Sequence, residues 1–391
     1  MVEEWLTDEE KQAFKQETTS GWALDYFYHF DNAPLHFVYR DGVTHGELTE
    51  LEKRNKTITE TTWLDAYNYG CIATIHNTYM FRKGCLQVPL QSFRQGAVQP
   101  GPISEESSEG RVYRTADEVQ AGLDAWMAAE GWQLMDDRRR NQAPARNDWG
   151  ILLGAPDRTM RLGSFMAYGS QVIVEAILTW SEGGVLKETV FPDILQYDVD
   201  GSILNERVYM DPVNWPSSPG TRARSSGSQG DRGGEGQIKG GFEVFFNRYD
   251  DRKVEPALTD LEKRNKGIIE GAWVDAYNNG LSRDIFHPDR YRVQLPLQKV
   301  SYSGEKSAEV EAAIKQAVPD RRLQVIQDYA RGNQVIAECV ISWTKNGVYQ
   351  ETPFISFLLL DEDGLIVRDR AHLVMAHWPG ASQMPDSFTG Q

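Results

Sequence analysis

The chain has 391 residues, 40% hydrophobic and 25% charged, the balance of a globular protein long enough for two or three domains. A net charge of −16 at pH 7 argues against the Lys/Arg excess that phosphate binding needs, so no nucleic-acid partner is expected. Cys71, Cys85 and Cys339 show no disulfide or metal-ligand spacing, and no run of eighteen apolar residues offers a membrane span.

In chain order, residues 1–47 form an N-terminal extension. Its start, Met1-Val2-Glu3-Glu4-Trp5, lacks the basic and apolar segments of a signal peptide, so a reducing, cytoplasmic location is expected. Tyr26 to Phe30 is aromatic-rich, and Leu35 to Tyr39 running into Asp41-Gly42 predicts a hairpin. Residues 48–215 form a first domain. It opens on Leu51-Glu52-Lys53-Arg54-Asn55-Lys56, which returns 210 positions later as Leu261 to Lys266. Trp63, Asp65, Ala66, Tyr67, Asn68 and Gly70 return as Trp273, Asp275, Ala276, Tyr277, Asn278 and Gly280. One unit has been built twice.

Gln87 to Gln91 predicts a strand that recurs as Gln294 to Gln298. An insertion at about residues 95–165 follows, with a capping box at Thr115 to Glu118 and a helical pattern through Val119, Leu123, Trp126 and Met127. Gln171 to Trp180 then matches Gln334 to Trp343, and the same offset carries Asp200-Gly201 onto Asp363-Gly364 and Trp215-Pro216 onto Trp378-Pro379. Residues 216–241, rich in Ser, Gly and Pro, read as a flexible linker.

The second domain spans 242–391. It reads as a helix ending at Gly280, a strand from Tyr291 to Val300 with Pro296 at an edge or bulge, and a helix over Ser307 to Ala317. Four strands follow, the last two joined by the turn Asp361-Glu362-Asp363-Gly364. Helices first and an antiparallel meander after them give an α+β plan, a curved sheet wrapped on helices.

The run Trp63 to Gly70, followed by a meander carrying Asp198-Val199-Asp200-Gly201-Ser202-Ile203, resembles the NTF2-like superfamily, with the SnoaL-like polyketide cyclases and ketosteroid isomerases nearest. The resemblance implies two cone-shaped α+β barrels in tandem, each with a pocket at its open end. It implies pairing as an intramolecular pseudo-dimer or homodimer.

The resemblance also implies site residues. Asp193, in Phe191-Pro192-Asp193-Ile194-Leu195, looks like the acid–base Asp of the cyclases; the second copy carries Ser356 there. A carboxylate facing an apolar cone has its pKa raised, which suits proton transfer next to a carbonyl. Glu175 sits mid-strand in an apolar run, where the cyclases place a His, and beside Asp193 it would complete an acid and base pair. Its alternative is a cross-strand pair with Arg207, repeated as Glu338 and Arg370. Tyr209 and Asp211 resemble the family's terminal Y-x-D, on one face with Arg207, and His372 stands where Tyr209 would be.

Trp63 and Tyr67 share one helix face, and Trp63 falls where the isomerases carry their oxyanion-hole Tyr. Because the pair recurs as Trp273 and Tyr277, core packing competes with a pocket-wall role. Val88-Pro89-Leu90 lacks the isomerases' catalytic Asp, which argues against that mechanism. No nucleotide, metal or nucleophile-elbow pattern occurs, so no cofactor is expected.

The expected function is therefore a cofactor-independent acid–base enzyme, an isomerase, cyclase or dehydratase, working in the first cone on a small, largely apolar, polyketide- or terpenoid-like carbonyl compound. Asp193, Glu175, Tyr209 and Asp211 are the expected catalytic set, with Trp63, Tyr67, Arg207 and His372 binding substrate. The alternatives are a non-catalytic ligand- or protein-binding module, and an epoxide hydrolase using Asp193, Arg207 and Asp211.

Overall fold

The computed structural model describes residues 43–69, 81–89, 155–198, 201, 203–210, 215–216, 252–279, 283–298, 300–345, 348–374 and 378–379. The aromatic run Tyr26 to Phe30, the hairpin expected before residue 43, the helix expected after Thr115, nearly all of the linker, and Cys71, His76 and Asp211 lie outside them. The chain divides into two compact units. One is Glu47–Pro256, the first-copy unit; the other joins Met1–Gly46 to Ala257–Gln391, the second-copy unit.

In the first-copy unit the repeated hexapeptide makes a helix and then docks it. Helix α1 (Glu50–Ile58) starts at a capping box: Thr49 Oγ1 accepts from the Glu52 amide, and the Glu52 carboxylate accepts from the Thr49 amide. The helix widens into a π-helical turn (Thr59–Trp63) and resumes as α2 (Leu64–Tyr69). Glu52 also accepts the Gly169 amide at 2.8 Å, and Arg54 donates to the Asp198 carbonyl at 3.1 Å. Asn68 grips one strand residue twice, accepting from the Met160 amide at 2.6 Å and donating to its carbonyl at 2.9 Å.

Those partners belong to a sheet of β1 (Phe81–Pro89), β2 (Thr159–Tyr168), β3 (Gln171–Glu182), β4 (Val185–Tyr197) and β5 (Ile203–Val208), ordered β1-β5-β4-β3-β2. Strands β2 to β5 run antiparallel to their neighbours, and β1 joins β5 in parallel. Gly169, between β2 and β3, has φ of 59°, and a Cβ there would lie 1.7 Å from the Val254 carbonyl oxygen. Only glycine fits that turn.

The second-copy unit repeats each device. Helix α3 (Asp260–Ile268), a π turn (Ile269–Trp273) and α4 (Val274–Asn279) follow a capping box at Thr259. Glu262 accepts the Gly332 amide at 2.9 Å, and Asn278 clamps Leu323 at 2.7 and 3.0 Å. The sheet adds a strand: β6 (Arg292–Leu295), β7 (Val300–Ser303), β8 (Arg322–Arg331), β9 (Gln334–Lys345), β10 (Val348–Leu360) and β11 (Ile366–His372) lie in the order β7-β6-β11-β10-β9-β8.

The single strand expected over 291–300 is two. Pro296 opens a 3-10 turn (Pro296–Gln298) between β6 and β7, because proline offers no N–H to the ladder. Helix α5 (Gly304–Ala317) follows, capped by the Ser303 hydroxyl. At the hairpin turn Asp361 Oδ1 accepts from the Asp363 and Leu365 amides, while Oδ2 accepts from Arg290. The whole is a mixed α+β architecture of curved antiparallel sheets and few helices, consistent with an NTF2-like fold. Among the described residues, no helix is long and apolar enough to cross a membrane.

Candidate functional site

Strand alternation assigns each candidate residue to a face. In the first-copy unit, Val172, Val174, Ala176 and Leu178 of β3 share a core with Phe191 and Leu195 of β4 and with Trp63 and Tyr67 of the helix. Asp193 pairs with Val174 on one side and Val208 on the other, so it belongs to this helix-side face, and it is buried. Glu206, opposite Leu195 on β5, shares the face and accepts the Trp63 indole N–H at 3.3 Å. Trp63 and Tyr67 pack edge to face, with ring centroids 5.1 Å apart.

Glu175 lies on the opposite face. It is one residue out of phase with Val174, pairs with Pro192, and accepts from the Ser164 hydroxyl. Arg207 pairs with Ile194, and Tyr209 donates its amide to the Pro192 carbonyl at 2.8 Å, which puts both with Glu175 and away from Asp193. All three are fully buried.

The acid and base pair expected of Asp193 and Glu175 is therefore not formed, because a residue shift of one reverses the face. Tyr209 and Arg207 do not reach the helix-side core either. The Asp193, Arg207 and Asp211 set of the epoxide-hydrolase alternative is split, with Arg207 behind the sheet. His372 pairs with Ile355 and packs on Phe357 at 5.6 Å between ring centroids, again behind its sheet.

In the second-copy unit the helix-side face opens into a cavity. Its walls include Trp273 and Tyr277 of the helix, Phe354 and Ser356 of β10, Asp369, Ala371 and Leu373 of β11, Trp378, and Ser307, Val310, Glu311 and Ile314 of α5. The cavity volume is about 60 Å³. The lining is mostly apolar with a few converging polar groups, the usual make-up of a small-molecule site.

Asp369 is the counterpart of Glu206, and Ser356 the counterpart of Asp193. Asp369 is 2% exposed, and burial pushes its carboxyl up to about 7. The Ser356 hydroxyl opposes that shift and the charge of Glu311 adds to it; Tyr277 and Trp273 also favour the ionised form. Tyr277 reaches Asp369 Oδ2 at 3.5 Å. The Trp273 indole leans towards the same carboxyl. Glu311, also raised by burial, is held by Arg321 at 2.6 Å. Tyr277 and Tyr291 are raised well above the usual phenol range by burial and stay protonated. Among the described residues no cluster of His, Cys, Asp and Glu could hold a metal ion.

Sequence reasoning missed Glu206 and Asp369. Their signal was the repeated acid-Arg dipeptide, Glu206-Arg207 and Asp369-Arg370, in which alternation sends the two charges to opposite faces.

No family model and no curated protein matches the chain. Solved structures do. A proposed SnoaL-like polyketide cyclase from Jannaschia sp. CCS1 is 14% identical, with a TM-score of 0.27, over 33% of this chain and 99% of that one. IdmH from Streptomyces antibioticus, a proposed polyketide cyclase, is 17% identical, with a TM-score of 0.26, over 32% and 100%. A ketosteroid isomerase-like protein from Catenulispora acidiphila, solved with trimethylamine, is 16% identical, with a TM-score of 0.25, over 31% and 93%. Each covers about a third of the chain, and the likeness concerns the fold alone.

Proposed function

We infer that the protein is a cofactor-independent acid–base enzyme acting on a small, largely apolar carbonyl compound, built from two NTF2-like cones. The observation that carries this reading is Asp369, buried at the wall of an apolar cavity and pushed up to about 7. A carboxyl poised there accepts and returns a proton near neutral pH. As carboxylate it takes a proton from the carbon next to the carbonyl, leaving an enolate. As carboxylic acid it gives the proton back at another carbon, which isomerises the substrate, or to a leaving hydroxyl, which dehydrates it. Tyr277 and Trp273 stand beside it to orient the substrate's polar end.

The second-copy cone supports this better than the first, where sequence features alone pointed. Asp193 remains the base candidate of the first cone, with Glu206 rather than Glu175 as the acid on its face. The substrate class, polyketide- or terpenoid-like, fits an apolar wall with few polar groups.

The test begins with mass spectrometry of small molecules carried by the purified protein. Exchange of their carbon-bound hydrogens with D₂O is then followed for Asp369→Asn and Asp193→Asn. Loss of exchange in Asp369→Asn is expected; unchanged exchange in both variants overturns the enzyme and leaves a binding module.

A further inference from the structure

One short clasp is made twice, each time by the segment that precedes the other copy. Residues 43–46 lead into the first-copy helix and residues 252–256 into the second, at the offset of 210 (254 − 44). The compact units take these leaders crosswise: Val254 belongs with Glu47–Pro256, and Thr44 with Ala257–Gln391.

In the first-copy unit the Ser170 amide donates to the Val254 carbonyl at 2.8 Å, and the Val254 amide donates to Ser170 Oγ at 2.9 Å. In the second-copy unit the Asn333 amide donates to the Thr44 carbonyl at 3.3 Å, and the Thr44 amide donates to Asn333 Oδ1 at 2.8 Å. Ser170 and Asn333 are counterparts, at the offset of 163 (333 − 170) that relates the meanders. Each turn thus offers one amide and one side-chain acceptor to passing backbone, much as a sheet edge takes in an extended peptide. The side chains of Thr44 and Val254 are exposed, so it is the backbone that is held. The first clasp adds an ion pair, Arg252 to the Asp198 carboxylate at 3.2 Å. In the second, position 42 is Gly, and Asp361, the counterpart of Asp198, takes Arg290 instead. There His45 Nε2 and Gln334 Oε1 lie 3.0 Å apart.

We propose that each of these turns is a docking surface for the leader of the opposite copy, and that this exchange, rather than the Ser/Gly-rich connection, keeps the two repeats in one molecule. With the connection cut, the first half still lends its Thr44 segment to the second and still receives the Val254 segment from it. The proposal is independent of either cone being an active site.

The experiment uses the full chain with a protease recognition sequence inserted after Gly227. After complete cleavage the halves are expected to elute together, with light scattering giving one of each. Halves that separate overturn the proposal; two of each half overturn it too, because the leaders would then come from a second molecule. Ser170→Ala, Asn333→Ala and Arg252→Ala combined remove both side-chain acceptors and the ion pair. In the cut protein they should raise the dissociation constant between the halves by roughly tenfold or more. An unchanged constant means that the leaders do not hold the halves, which overturns the proposal. If the cut protein does not stay folded, amide hydrogen exchange on the uncut chain carries the test. The Val254 amide should exchange at least about tenfold more slowly than an unstructured amide, and Ser170→Ala should remove most of that protection. Exchange at the unstructured rate in the unaltered chain overturns the proposal.

Discussion

Glu262 holds Gly332: its Oε1 accepts the glycine amide at 2.9 Å while its Oε2 accepts the Thr259 amide at 2.7 Å. One carboxylate thus caps a helix and fastens it to the β8–β9 turn. Glu262→Ala leaves both amides without an acceptor inside the protein. A loss of about 3 kcal/mol is expected, from one cap and one buried charged hydrogen bond. Urea unfolding measures it, with the exposed Glu270→Ala changing by less than about 0.5 kcal/mol as the comparison.

The glycine side of that contact is as strict. Gly332 has φ of 54°, and a Cβ would lie 1.7 Å from the Thr44 carbonyl oxygen. Gly332→Ala should cost more than the roughly 1 kcal/mol of left-handed strain alone, since the chain at Thr44 must move. A thermal midpoint indistinguishable from that of the unaltered chain would rule this out.

Asp369 makes stability depend on pH in an unusual direction. Its folded pKa, about 7, lies above the ordinary carboxylate value of 3.8, so the folded state holds the proton more tightly than the unfolded state. Below pH 4 both states are protonated and the burial of Asp369 costs nothing electrostatic. Between pH 4 and 7 the unfolded state ionises first, and stability falls, by on the order of 4 kcal/mol across the window. Asp369→Asn, which has no proton to lose, should lack that fall. Denaturant midpoints for the two proteins at pH 4, 5.5 and 7 should therefore diverge with rising pH in favour of the variant.

Glu175 offers the opposite case. It is buried behind the sheet, away from Asp193, so Glu175→Gln should lower stability by about 1–3 kcal/mol while leaving proton exchange on a bound ligand unchanged. A fall in exchange rate matching that of Asp193→Asn would show that the two carboxyls act together after all.

Much of the fold was legible in the sequence. The repeat announced the docking helix, and the structure gives the reason for its strictness: Glu52, Arg54 and Asn55 all bond to turn backbone, as do Glu262, Arg264 and Asn265. The faces of the strands were not legible. Val172-Ile173-Val174-Glu175-Ala176-Ile177 shows no alternation, because both faces of β3 are buried and each side selects apolar residues. Without alternation, Glu175 and Asp193 could not be told apart by face. Comparing the copies misled in another way: it favoured residues that differ. The acid that borders the cavity is present in both copies, changed only from Glu206 to Asp369.

The π turns ending at Trp63 and Trp273 have a mechanical meaning. Each inserts one residue into a helix whose first half is bolted to hairpin turns and whose second half aims an indole at the sheet. Since each residue of an α-helix turns the chain by about 100°, winding Ile269–Trp273 as a regular helix with no residue removed would swing Trp273 and Tyr277 together off the cavity wall. The wide turn is a phase adjuster, and the aim of the site is set by the count of residues between an anchor and an indole.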